Sequence, residues 1–113
     1  MKDREKRLAD LAAQFRDCQD VLFAIGDKTR QSIIIALIDA GCHPGIRVGE
    51  ITEKTHLSRP AVSHHLKVLK DAKILNVTSQ GTMNYYSLDP KQSDLLKLHT
   101  LVSHVEEILK ECR

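Results

Sequence analysis

No run of apolar residues in this chain approaches the roughly 20 that a membrane span needs. The opening MKDREKRLAD also lacks the apolar core of a signal peptide. A cytoplasmic protein without a membrane partner is therefore expected. The three cysteines, Cys18, Cys42 and Cys112, are widely scattered and form no CxxC pair. An odd number at such spacing argues against a disulfide framework, so reduced, buried thiols are expected. There is no phosphate-binding glycine loop, no nucleophile motif and no paired-carboxylate pattern, so an enzyme is not expected either.

What remains is 113 residues with 42% hydrophobic content, enough for one core but not for two. A single domain over 1–113 follows. The formal net charge of +2 looks small, but it is unevenly spread. From Lys54 to Lys73, five basic residues (Lys54, Arg59, Lys67, Lys70, Lys73) face one acid, Asp71. The first twenty residues balance, and the tail from Asp89 is slightly acidic. A local positive field of this kind attracts a polyanion whatever the total charge.

That basic stretch has the periodicity of a short helix, a tight turn and a longer helix between Val48 and about Ala72. Ile51 and Leu57 point inward, and Val62, Leu66 and Leu69 repeat along one helix face. Ser58 stands where an N-cap is needed, and Pro60 sits in the first turn, where its missing N–H costs nothing. Beside the apolar stripe run Arg59, Ser63, His64 and Lys67, donors and cations at the front of a helix, as a recognition helix in a major groove requires. An ordinary helical hairpin with a solvated basic face would have the same pattern.

The flanking elements favour the first reading. Residues 4 to about 22 read as an amphipathic helix with Leu8, Leu11, Phe15, Cys18 and Leu22 on one face. Gly26 ends it. Asp27 can cap a second helix through about Ala40, with Ile33, Ile34, Leu37 and Ile38 toward the core. Gly41 stops that helix, and Cys42-His43-Pro44-Gly45 reads as a loop. After Leu75 the period falls from 3.6 to 2. Ile74 to Ser79 and Met83 to Leu88 are strand-like runs joined by Gln80-Gly81-Thr82. A helix-turn-helix followed by a hairpin is a winged helix. The fold expected is mainly α with a small β-hairpin wing and five helices.

The last helix is expected from about Lys91 to Glu111, opened by Asp89-Pro90 as cap and first-turn proline. It carries Leu95, Leu98, Val102, Val105, Leu109 and Cys112 in steps of three and four, widened by Leu101 and Ile108. Its length of about 30 Å is more than one small domain can cover. The expectation is that the first and last helices pair and that their surplus face meets a second copy. This divides the chain into 1–22 and 89–113 for dimerisation and 27–88 for DNA. The interface candidates are Leu8, Leu11, Phe15, Leu98, Val102, Val105 and Leu109.

In this order of elements the sequence resembles the ArsR/SmtB family of bacterial winged-helix repressors. The residues that carry the resemblance are Asp27-Lys28-Thr29-Arg30, the run from Leu57 to Leu69, and Gly81 with Tyr85-Tyr86-Ser87-Leu88. The resemblance implies a homodimeric repressor that binds an imperfect palindrome in double-stranded DNA and is released by an inducer. It puts Ser58, Arg59, Ser63, His64 and Lys67 against DNA, with Lys54, Lys70, Gln80 and Thr82 as further contacts. His65 is expected to pack against the wing. Arg59 stands where the family usually has Gln, His56 stands in place of the turn glycine, and the wing tip Ser79-Gln80-Gly81-Thr82-Met83-Asn84 has no charge where the family is often Arg-rich.

Members of the family sense metals at three places. Arg47-Val48-Gly49-Glu50-Ile51 has no thiol, and the N-terminus has no cysteine cluster. His104 and Glu107, one turn apart on the last helix, are weak candidates for zinc or nickel, but Lys91 and Ser93 stand where the family's other two ligands would be. No metal cofactor is expected. A zinc- or nickel-responsive sensor, a thiol switch through Cys42 and Cys112, and a winged helix used as a protein-interaction module are the alternatives, the last supported by the uncharged wing.

Overall fold

The computed structural model describes residues 2–89, 91 and 94–112. Its elements are α1 (Lys2–Asp17), α2 (Gln19–Ile25), α3 (Lys28–Ala40), α4 (Val48–Thr55), α5 (Arg59–Asp71), β1 (Leu75–Gln80), β2 (Met83–Leu88) and α6 (Leu95–Glu111). This is the expected winged helix, with one helix more than expected. The expected first helix is two. At Cys18 the backbone leaves helical geometry (φ −94°, ψ 2°). Its N–H is shared between the carbonyls of Gln14 and Phe15. The reason is a change of packing partner: α1 runs along α6, whereas Cys18, Val21 and Ala24 bury themselves in the core.

Ile33 and Leu37 of α3, Ile51 of α4, Val62 and Leu69 of α5, Val21 of α2 and Ile74 are the largest side chains lost wholly to the core. Burying each branched aliphatic contributes on the order of 2 kcal/mol, and these few residues lock α2 to α5 into one body. Ile38, expected in this core, is 58% exposed, and Ala36 is buried instead. Ile38 lies roughly 100° round the helix from Leu37, which turns it to the far side. Asp27 caps α3 as expected, its carboxylate accepting the Arg30 N–H at 2.9 Å.

β1 and β2 pair antiparallel from Leu75↔Leu88 to Gln80↔Met83. The loop is therefore two residues, Gly81-Thr82, because Gln80 is taken into the strand. Gly81 has φ +65°, as the first central position of a tight hairpin often needs. Ile46 adds a bridge to the outer side of β2, exchanging both backbone hydrogen bonds with Tyr86 (2.9 and 2.7 Å). Gly45 permits that approach, since a Cβ there would sit 2.4 Å from the Tyr86 carbonyl oxygen.

α6 begins at Leu95, four residues later than expected. The Asp89 and Asp94 N–H groups donate to the carbonyls of Ile74 and Lys73, tying the segment against the start of β1 before it can turn. Asp89 does cap locally, but its carboxylate accepts from Lys91 N–H rather than opening the helix. Pro90 and Ser93 lie outside the described residues. α1 and α6 pair within the chain, through Arg7 with Glu111 and through Gln14 Oε1, which accepts from His104 Nδ1 at 2.6 Å. The chain measures 58 × 25 × 20 Å with a radius of gyration of 17.2 Å, against about 13 Å for a compact chain of this length. Among the described residues no helix is long and apolar enough to cross a membrane.

Candidate nucleic-acid interface

α4 ends at His56, which adopts the left-handed conformation (φ 59°, ψ 26°) and donates its N–H to Thr52 O at 2.9 Å. This is the tight turn that sets α5 across α4. A non-glycine residue there costs about 1 kcal/mol. His56→Gly is therefore expected to raise the unfolding free energy by about that much, read as a higher urea midpoint at unchanged slope. An equal or lower midpoint would mean that the imidazole contributes something the backbone account omits.

Ser58 then caps α5, its Oγ accepting from Ala61 N–H at 3.2 Å, and Pro60 occupies the first turn. The two faces of α5 separate cleanly. Val62, Leu66 and Leu69 are 0–3% exposed, and Ser58, Arg59, Ser63, His64, Lys67 and Lys70 are all exposed, with Lys54 exposed on α4. The wing frames this ridge. A cleft of about 380 Å³ lies between Arg47, Glu50, Glu53 and Arg59 on one side and Thr82 and Asn84 on the other. A second, of about 260 Å³, joins Ser63, Lys67 and Lys70 to Asn84 and Tyr86. Thr82 thus stands beside the start of α5, and Gln80, also exposed, faces the opposite side of the hairpin with Asn76 and Thr78. The arrangement presents a row of donors and cations, with a hairpin alongside, on one open surface.

A model described as bacterial regulatory protein, arsR family, matches residues 27–77, from the cap of α3 into β1. The transcriptional repressor SdpR of Bacillus subtilis is 37% identical over 70 residues, 62% of this chain and 73% of that protein. The chain belongs to the ArsR family.

Two further likenesses agree with this ArsR-family assignment. The HTH-type transcriptional regulator Rv2034 of Mycobacterium tuberculosis is 43% identical over 67 residues, and the match spans 59% of each protein's length. The transcriptional regulator HlyU from Vibrio vulnificus superimposes with a TM-score of 0.64 at 25% identity, covering 83% of this chain and 96% of that one.

Within this ArsR-family chain, several residues sit elsewhere than expected. His65 does not turn to the wing. Its Nδ1 lies 3.3 Å from Arg30 Nη1 of α3. Burial lowers its pKa below the usual 6.5, and the Arg30 charge lowers it further, with His64 acting the same way and Asp27 opposing. Neutral Nδ1 then accepts from the guanidinium. Arg30, 7% exposed, also donates to the carbonyls of Ala24 (2.7 Å) and Phe23 (3.1 Å) at the end of α2. Its guanidinium carbon lies 4.9 Å from the Phe23 ring centroid. Sequence reasoning assigned Arg30 no role, since a buried arginine leaves no periodic signal.

The thiols also differ from expectation. Cys18 is buried, but Cys42 and Cys112 are exposed, and all three are free. His104 and Glu107 share a small cleft with Asp10, Arg7 and Leu11. The Gln14 carbonyl engages Nδ1 of His104, and Arg7 brings a positive charge to the same cleft. Among the described residues no group of three or more His, Cys, Asp or Glu is placed to hold a metal ion.

The interface candidates divide. Leu11, Leu98 and Val105 are half-buried and pack on the chain's own core. Leu8 (42%), Phe15 (49%), Val102 (62%) and Leu109 (56%) face outward. The apolar seam of α6 has two rows, and only one is open.

Proposed function

We propose that the protein is a cytoplasmic, homodimeric transcriptional repressor that lays α5 in the major groove of double-stranded DNA, binds an imperfect palindrome and is released by an inducer. The observation that carries this is the two-faced α5: an unbroken buried stripe fixes the helix, and Arg59, Ser63, His64, Lys67 and Lys70 stand exposed beside it. A helix held rigidly on one side and bare on the other can enter a groove without first unpacking. The wholly regulatory character of the similar proteins supports a role without catalysis and does not favour the protein-interaction alternative.

The second copy is supported by the open row on α1 and α6. Four large apolar side chains on a protruding helix pair are a surface that monomers rarely leave to water. A two-fold dimer would set two α5 helices about 34 Å apart, one turn of duplex. No metal enters the proposal, and elemental analysis of untagged protein tests that directly.

The experiment is a gel shift against the promoter of the protein's own operon at rising salt. Sequence-selective binding should weaken by roughly 10³-fold or more between about 50 and 200 mM salt if six or more phosphates are contacted. Binding that is salt-insensitive or blind to sequence would overturn the reading. Within the ridge, Arg59 is the side chain suited to a guanine edge and Lys70 to a phosphate. Arg59→Ala is expected to cost about 1–3 kcal/mol at the operator and to relax preference at one base pair, whereas Lys70→Ala weakens all DNA about equally. An unchanged base preference in Arg59→Ala would remove it from base reading.

A further inference from the structure

We propose that Arg47 is a DNA-backbone contact which supplies, from the root of α4, the positive charge that the hairpin tip lacks. The inference rests on the reading of α5 as the groove helix. A duplex lying along α5 must also pass the end of the hairpin, because Thr82 and Asn84 line one cleft with Arg59 at the start of α5. From Ser79 to Asn84 the hairpin offers only hydroxyls, amides, a thioether and a glycine. The hydroxyls and amides can donate hydrogen bonds to a phosphate, but none of these groups can release a counterion.

Two cations, Arg47 and Arg59, line that same cleft with the tip residues Thr82 and Asn84. Arg59 belongs to the ridge that reads bases. Arg47 is exposed and sits in extended backbone (φ −90°, ψ 160°) just before α4, with no side-chain capping bond. The ion pairs among the described residues involve Arg7, Lys97 and Lys110, so neither arginine of the cleft is held by a carboxylate. Glu50 and Glu53 line the cleft as well and balance the two guanidinium charges. The cleft is consequently a poor trap for a free anion. It engages a phosphate only when the lysines of α4 and α5 already hold the duplex in place.

The test compares salt dependences of binding to operator and to random duplex. Arg47→Ala should weaken both by the same factor, roughly 3- to 10-fold near 0.1 M salt, and lower the slope of log K against log salt by about 0.9 per arginine engaged, about 2 for a dimer. Arg47→Lys should keep the slope. Arg47→Ala combined with Thr82→Arg should restore it, since the second change returns a charge to the same cleft from the hairpin side. Millimolar inorganic phosphate should not compete. An unchanged slope in Arg47→Ala, or a changed base preference, would overturn the assignment while leaving DNA binding itself intact. Absence of salt-sensitive binding in the unsubstituted chain would overturn the underlying reading and this one together. Circular dichroism of each variant separates these outcomes from misfolding.

Discussion

Val102→Glu should turn the protein into a folded monomer and reduce operator affinity by at least about 100-fold. Val102 is 62% exposed in the protomer, so a carboxylate there disturbs no internal packing. In a two-fold dimer it would be repeated across the axis, placing two charges in an apolar contact where neither has a partner. Once the copies separate, each half-site must be bound alone, and the gain from linking two binding events, about 10²–10⁴, disappears. Sedimentation or size exclusion reads the first effect and the gel shift the second. An unchanged dimer would move the interface away from α6. Val105 is the poorer choice, because it packs against the chain's own core, and a charge there would disrupt the packing of α6 as well as part the copies.

The second large effect concerns stability. Arg30→Ala removes one buried guanidinium that joins the end of α2, α3 and α5. It leaves the Ala24 carbonyl and the His65 ring nitrogen without their donor and thins the packing on Phe23. Hydrogen bonds to a charged donor contribute about 1.5–3 kcal/mol each, so a loss of about 3 kcal/mol is expected, a fall in Tm of roughly 10–15 °C. A fall under about 3 °C would show that water satisfies these groups as well as Arg30 does. The same contact predicts an acid sensitivity. The folded-state pKa of His65 lies below the ordinary 6.5, so the unfolded chain takes up the proton first. The stability this group contributes is complete above about pH 6.5 and is lost as pH falls through the lower folded value. The unsubstituted chain should therefore lose thermal stability as pH falls below about 6.5, and His65→Gln should lose less. Equal losses in both would place the acid sensitivity elsewhere.

The local elements were legible because their causes are local. A cap at Asp27 and at Ser58, a proline in the first turn, a step of three and four from Val62 to Leu69, and a glycine in a tight hairpin are each decided within a few residues. From these the winged helix, the two faces of α5 and the cluster of positive charge could all be read before any contact was known. His56 in a left-handed turn belongs to the same class.

What sequence could not reach depends on which element meets which. Periodicity says that a face is apolar, not whether its partner is the chain's own core or a second copy. Hence Leu98 and Val105 turned inward and Val102 and Leu109 outward from one seam, and Ile38 stayed wet. The break at Cys18 and the late start of α6 arise from long-range packing and from hydrogen bonds to Lys73 and Ile74, which leave no local trace. Arg30 and His65 are 35 residues apart, and Arg47 meets the hairpin only because Ile46 pairs with Tyr86. Composition and spacing determined the parts and the charge they carry. Burial, which sums over distant residues, decided the Arg30 contacts behind α5, the open apolar row and the arginine beside the wing.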